Sequence, residues 1–127
     1  MGADEFVPPL PDIKANGSDG PVKTTPFETL RLTVAFAANE ASGLDADWWL
    51  LAKTPSGLFH YELASGWVPG KKVSLQKILM NFPSRPLRDM PGLTYGTYLF
   101  YFGVDLIKNG RINLNQGYYD KVKVVVN

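Results

Sequence analysis

A run of oxygen-bearing side chains near the C-terminus has spacing that could bind a divalent cation. The segment 105–116 reads DLIKNGRINLNQ. In calcium loops, oxygen ligands occupy positions 1, 3 and 5, glycine at 6 makes the sharp turn, position 7 offers a carbonyl, and positions 9 and 12 complete the shell. Positions 1, 5, 6, 7 and 9 are here Asp105, Asn109, Gly110, Arg111 and Asn113.

This loop is degenerate at two ligand positions, because Ile107 stands at position 3 and Gln116 at position 12. One carboxylate remains, and two cationic side chains are close to it in sequence. A hard divalent cation needs several oxygens and benefits from negative charge. We therefore expect no bound calcium and no other cofactor. The alternative is a plain turn at Asn109-Gly110, a dipeptide that strongly favours a hairpin.

Aromatic residues offer a second possible site. Four of them could form an open platform that stacks on sugar rings, with polar neighbours fixing the hydroxyls; they are Trp49, Phe59, Tyr61 and Trp67. The competing interpretation is that they fill the core and pair across strands.

The chain has little of what enzymes use for nucleophilic or metal catalysis. It contains no cysteine and a single histidine, His60. A catalytic histidine needs a nucleophile and an orienting acid within reach. Ser56 and Ser65 lie at predicted turns, without the strand–turn–helix elbow of hydrolases. We therefore expect a protein that is not an enzyme.

Charge is unevenly distributed although the net charge is only +1. Residues 1–47 carry net −5 and residues 48–88 carry net +5. Solvated strand faces explain such runs, and the alternative is a basic patch at 71–88 that meets an acidic partner. The small net charge argues against nucleic-acid binding, and no apolar run approaches the ~20 residues that span a bilayer.

Short alternating segments must position these candidates. Period-two alternation and turn signals predict strands rather than helices; the clearest are Thr29–Ala38, Asp47–Thr54, Leu58–Leu63, Thr97–Val104 and Tyr118–Val126. Shorter extended pieces at 13–15 and 22–25 are expected at a sheet edge. Residues 71–80 fit a strand or a helical turn, and their all-β surroundings favour a strand.

Two adjacent tryptophans on the second strong strand must point to opposite faces of its sheet. We expect Trp48 to enter the core and Trp49 to lie on the outer face with Leu51. An outer apolar patch of this kind is rarely left bare. The expected covers, in order, are residues 67–80, a second copy of the chain, and a ligand.

The strand pattern predicts an all-β, antiparallel immunoglobulin-like (fibronectin III-like) β-sandwich of about seven to nine strands. Leu93, Gly96 and Tyr98 have the spacing of a tyrosine corner, whose hydroxyl bonds back to the backbone a few residues upstream. Three prolines and no periodicity predict a flexible N-terminal lead at 1–12, ahead of one domain at 13–127. No basic region followed by an apolar stretch appears at the start, so we expect no signal peptide.

Several strings taken together resemble a known family; they are Ala46-Asp47-Trp48-Trp49, Thr54-Pro55, Trp67-Val68-Pro69-Gly70, the segment 93–105 (LTYGTYLFYFGVD) and Tyr118-Tyr119-Asp120. The set is similar to a recurring, largely uncharacterised immunoglobulin-like domain of secreted and cell-surface bacterial proteins. The resemblance covers roughly residues 14–127. It implies a secreted, cell-surface or periplasmic parent protein and no known enzymatic activity.

These observations lead to two functional hypotheses. The first is a non-catalytic extracellular or cell-envelope module for spacing, adhesion or protein interaction, whose partners are other proteins or neighbouring domains of the same parent chain. The alternative is a carbohydrate-binding module that captures a polysaccharide on the aromatic platform. The sequence does not predict the oligomeric state.

Overall fold

The computed structural model describes residues 6–115 and 117–127. Within them the chain forms ten strands and one short 3-10 helix at Asn39–Ala41. The strands are β1 (Leu10–Ala15), β2 (Val22–Thr24), β3 (Leu32–Ala37), β4 (Asp45–Thr54), β5 (Gly57–Glu62), β6 (Gly66–Pro69), β7 (Leu75–Ile78), β8 (Phe82–Pro86), β9 (Gly96–Asp105) and β10 (Tyr118–Val126). No helix among the described residues is long and apolar enough to cross a membrane.

The strands form two sheets. The smaller has the order β1-β3-β8, and the larger has the order β2-β10-β9-β4-β5-β6, with β7 paired to the first half of β4. Most pairs are antiparallel, and β2 runs parallel to β10. Two sheets packed face to face in this order form the immunoglobulin-like β-sandwich expected from the alternating sequence.

The core lies between the sheets and is dominated by aromatic and branched side chains. Trp48 from β4 contacts Phe36 from β3 at a ring-centroid distance of 4.7 Å, and both pack near Phe102 from β9. The side chains of the alternating residues in β10, such as Val122 and Val124, are also buried here. The predicted position of Trp48 in the core is confirmed.

A tyrosine corner joins the start of β9 to the turn before it. The hydroxyl of Tyr98 donates a hydrogen bond to the carbonyl of Thr94 at 2.9 Å. Because Tyr98 is buried, this bond fixes the path of residues 94–98 over the end of the sandwich. The corner predicted from the spacing of Leu93, Gly96 and Tyr98 is confirmed.

The structure differs from the sequence prediction in the number of strands and in where the first strand begins. The described residues contain ten strands, more than the seven to nine expected. The additional strand is β8, whose Pro83 and Pro86 hid it from the pattern because proline is confined to sheet edges. The lead predicted for 1–12 is too long, since β1 begins at Leu10 and pairs with Ala37; its first five residues lie outside the described residues.

Candidate functional site

The outer face of the larger sheet carries a second apolar cluster around Trp49. Trp49 is fully buried and packs with Leu51, Tyr101 and Ile112. Its ring lies against Gly103 of β9, where a Cβ atom would collide with the indole. The predicted outer position of Trp49 is confirmed, and the predicted apolar patch does not stay exposed.

The cover over Trp49 is mainly a different segment from the one expected. Ile112 and Leu114 come from the loop between β9 and β10, whereas residues 67–80 contribute Val73. Ranking 67–80 as the main cover was therefore wrong. Both tryptophans are buried within one chain, so Trp49 offers no binding surface.

The four aromatic residues predicted to form one platform lie on two faces of the sheet. Trp49 is on the outer face, whereas Phe59, Tyr61 and Trp67 pack against the core between the sheets. The register explains the split, because Phe59 lies opposite the inward-facing Ala52. The predicted platform of Trp49, Phe59, Tyr61 and Trp67 is therefore wrong.

The candidate calcium loop uses its side-chain oxygens to hold its own backbone. The carboxylate of Asp105 accepts the N–H of Ile107 at 2.8 Å, and Asn109 accepts the N–H of Arg111 at 2.9 Å. Asn113 accepts the N–H of Asn115 at 3.0 Å. The side chains of Asp105, Asn109 and Asn113 therefore act as turn acceptors, and Gln116 lies outside the described residues.

Asp47 anchors this loop, a role that the sequence analysis missed. Its carboxylate is fully buried on β4 and accepts the N–H groups of Asn109 at 3.1 Å and Gly110 at 2.8 Å. Its other oxygen accepts the amide of Gln76 at 2.7 Å. Asp47 lies directly opposite Asp105 in the β4–β9 register, which places both carboxylates beneath the loop. The sequence signal for this role was an acidic residue directly before two tryptophans on a predicted strand.

His60 is buried on β5 beside the carboxylate of Glu62. The ring is 2 % exposed on β5, and its Nε2 lies 3.2 Å from the carboxylate of Glu62. Among the described residues, its Nδ1 has no hydrogen-bond partner. Neither Ser56 nor Ser65 makes a hydrogen bond with the imidazole.

The carboxylates of Asp12, Asp19 and Asp120 lie close together, and Lys14 forms salt bridges with the first two. Hydrogen bonds to Asp19 and then Asp12 raise the pKa of Lys14 above its usual range. Asp120 accepts the N–H of Ile13 at 2.9 Å. The ammonium group already supplies the cation that this cluster would attract.

An open groove of about 370 Å³ lies at one side of the sandwich. We call it the β7–β8 groove, because β7 of the larger sheet and β8 of the smaller sheet form its walls. Core residues such as Val34, Leu50 and Phe102 form its floor. Leu75 and Ile78 on β7 line a wall and are 37 % and 44 % exposed.

The charged side chains that line the β7–β8 groove are all cationic. Lys77 lies on β7 and Arg85 on β8, and no acidic residue is among the described residues that line the groove. Neither forms a salt bridge within the described part of the chain. The guanidinium of Arg85 lies over the ring of Phe82 at 5.4 Å. This places part of the basic patch predicted for 71–88 beside exposed apolar surface.

No protein-family model matches the chain, and a search of curated proteins finds no match. The resemblance to an immunoglobulin-like bacterial domain therefore stays a prediction, while the fold stands on the structure itself.

Proposed function

We propose that this chain is a non-catalytic protein-interaction module of a secreted, cell-surface or periplasmic bacterial protein. The observation that carries the proposal is the β7–β8 groove, which combines exposed apolar side chains with cations that form no salt bridge among the described residues. Exposed apolar surface that is contiguous and bordered by polar groups marks interaction sites in soluble proteins. The partner is another protein or a neighbouring domain of the same parent chain.

The shape of the groove favours a chain segment over a compact ligand. Its walls are two strands that belong to different sheets, and both strands are largely exposed. Walls made of exposed strands of four and five residues suit an extended polypeptide more than an enclosed small molecule. The cell-envelope location rests on the family resemblance described above.

Selection from a random dodecapeptide library displayed on phage tests this proposal. We expect peptides enriched on the wild-type chain to be lost by the Ile78→Ser variant, which removes apolar surface from the groove. Ile107→Ser is the matched control, because Ile107 is 53 % exposed and is not among the residues that line the groove. Peptides that bind both variants equally, or no enriched peptides at all, would contradict the proposal.

Carbohydrate binding is the second candidate, and one observation still favours it. Phe59 and Trp67, two of the four aromatic residues considered from the sequence, line a smaller cavity of about 240 Å³ beside Thr54 and Thr94. Both threonine hydroxyls already make internal hydrogen bonds, to Gly57 and to the tyrosine corner, which argues for a structural role. Affinity electrophoresis in gels that contain polysaccharides separates the two candidates: retardation that Trp67→Ala abolishes would favour the sugar.

A further inference from the structure

We infer that the β7–β8 groove binds an extended, acidic segment of a partner protein, which adds as a strand to the free edge of β7. This inference rests on the proposed function and specifies the chemistry of the partner. It follows from which backbone edge is open and which charges lie beside it.

Two strands border the groove, and each has one unpaired edge in the part of the chain that the structure describes. Among the described residues, β7 pairs only with β4, and β8 pairs only with β3. Each strand therefore presents one row of unpaired backbone groups, which is a template for another strand. The β8 edge is interrupted because Pro83 and Pro86 lack the N–H group that a ladder requires.

The β7 edge has no such interruption. Its residues, Leu75 to Ile78, include no proline and are all exposed. Its pairing to β4 is regular over four residue pairs, from Asp45–Ile78 to Trp48–Leu75, so β4 fixes the strand along its other edge. An added strand would therefore make its backbone hydrogen bonds with β7 and place alternate side chains over the apolar floor.

Positively charged residues lie at the groove and next to it. Lys77 and Arg85 border the groove from opposite walls, and Lys71 and Lys72 are exposed in the segment that leads into β7. None of these four cations takes part in a salt bridge among the described residues. An acidic segment would pair with them, whereas a basic one would be repelled. The same charge disfavours a second copy of the chain, since a two-fold contact would bring the groove's cations together.

The dodecapeptide selection tests this chemistry when the sequences that depend on Ile78 are read. We expect them to alternate apolar with other residues over at least four positions and to carry a clear excess of aspartate and glutamate. The double variant Lys77→Glu/Arg85→Glu should weaken binding of a synthetic copy of the most enriched peptide by ~10-fold or more. Lys121→Glu/Lys123→Glu is the matched control, since it makes the same change of net charge on exposed positions of β10.

The backbone pairing has its own test with the same peptide. In strand addition only every second N–H of the peptide faces β7. Of two copies N-methylated at odd or at even positions, one should therefore lose binding and the other should keep most of it. Equal binding by both copies would overturn the strand addition.

The possible outcomes distinguish failure of the acidic partner from failure of the interaction groove itself. Peptides that depend on Ile78 but carry no acidic excess, or that ignore Lys77→Glu/Arg85→Glu, overturn the acidic partner and leave the interaction groove standing. Sedimentation that shows a dimer which Ile78→Ser dissolves would identify a second copy as the occupant and would overturn this inference. If no enriched peptide depends on Ile78, both the inference and the proposed function fail.

Discussion

Replacing Asp47 by alanine should release the loop that covers Trp49. The carboxylate accepts three hydrogen bonds, from Gln76 and from the backbone N–H groups of Asn109 and Gly110. Each hydrogen bond to a charged group contributes roughly 1.5–3 kcal/mol. If all three bonds were lost without compensation, the free energy of unfolding would fall by about 5–9 kcal/mol, which is an upper limit.

The expected loss is smaller than this limit because the donors can recover water. Asn109 and Gly110 are exposed positions, and an opened loop would let their N–H groups bind solvent. The loss of stability that remains has two sources. The loop no longer covers Trp49 and Leu51, and part of the energy of the three hydrogen bonds is not recovered from water. We therefore expect the free energy of unfolding to fall by about 3–4 kcal/mol.

The Asp47→Asn variant separates hydrogen bonding from volume. Its amide oxygen can still accept from the loop, and its amide nitrogen can donate to Gln76 once that side chain rotates. Only the benefit of the charge is lost, so we expect a fall of about 1–2 kcal/mol. Urea unfolding measures both values, provided that the slope m is unchanged.

Hydrogen exchange locates the effect in the loop. The amide protons of Asn109 and Gly110 should exchange slowly in the wild-type chain and rapidly in the Asp47→Ala variant, whereas protection of Val124 in β10 should change much less. An unchanged urea midpoint in Asp47→Ala, or an equal loss of stability in Asp47→Asn and Asp47→Ala, would show that Asp47 does not anchor the loop through hydrogen bonds to its charge.

Three further predictions concern the corner, an ion pair and the candidate calcium loop. Tyr98→Phe should lower the free energy of unfolding by about 1 kcal/mol, because it removes the bond to the Thr94 carbonyl; an unchanged urea midpoint would exclude a stabilising corner. A hydrogen bond from Arg31 lowers the pKa of Asp89 below its usual 3.8, so the pair stabilises the fold above that pH and stops doing so as the pH falls through the lowered pKa. Arg31→Met should raise the pKa of Asp89 in an NMR titration, and a value that does not move would contradict the pairing. Calcium should leave the melting temperature unchanged, because one side-chain oxygen each of Asp105, Asn109 and Asn113 already accepts a backbone N–H group and Ile107 supplies no ligand; a rise that Asp105→Ala abolishes would show a real site.

The core could be predicted from the sequence because it depends on local alternation. The period-two alternation of apolar residues predicts which side chains of β3 and β10 point into the core. Because Trp48 and Trp49 are adjacent on a strand, their side chains must lie on opposite faces of the sheet. The tyrosine corner was predictable for the same reason, since Tyr98 and its acceptor lie only four residues apart.

What the sequence did not predict depends on contacts between distant residues. Asp47 reaches Asn109 and Gly110 across 62 and 63 positions, and nothing in the local pattern connects them. The prediction of an aromatic platform was wrong because the face on which a side chain lies depends on the strand register. The register places Phe59 opposite the inward-facing Ala52, so the Phe59 side chain points into the core.

The β7–β8 groove was hidden for a related reason. It exists only because two short edge strands from different sheets come together, and neither strand has strong alternation. The excess of lysine and arginine at 71–88 was visible in the sequence, but its position beside Leu75 and Ile78 required the fold.

Binding at the β7–β8 groove can be located by a map of amide chemical shifts in the ¹⁵N-labelled chain as the most enriched dodecapeptide is added. We expect the perturbed amides to cluster on β7 and β8, around Leu75–Ile78 and Ser84–Arg85, and to shift far less in the Lys77→Glu/Arg85→Glu variant. Amides on β10, such as those of Lys121 and Lys123, should stay in place. Perturbations centred on β10, on the loop over Trp49 or on the smaller cavity beside Trp67 would contradict the assignment of the groove as the binding surface.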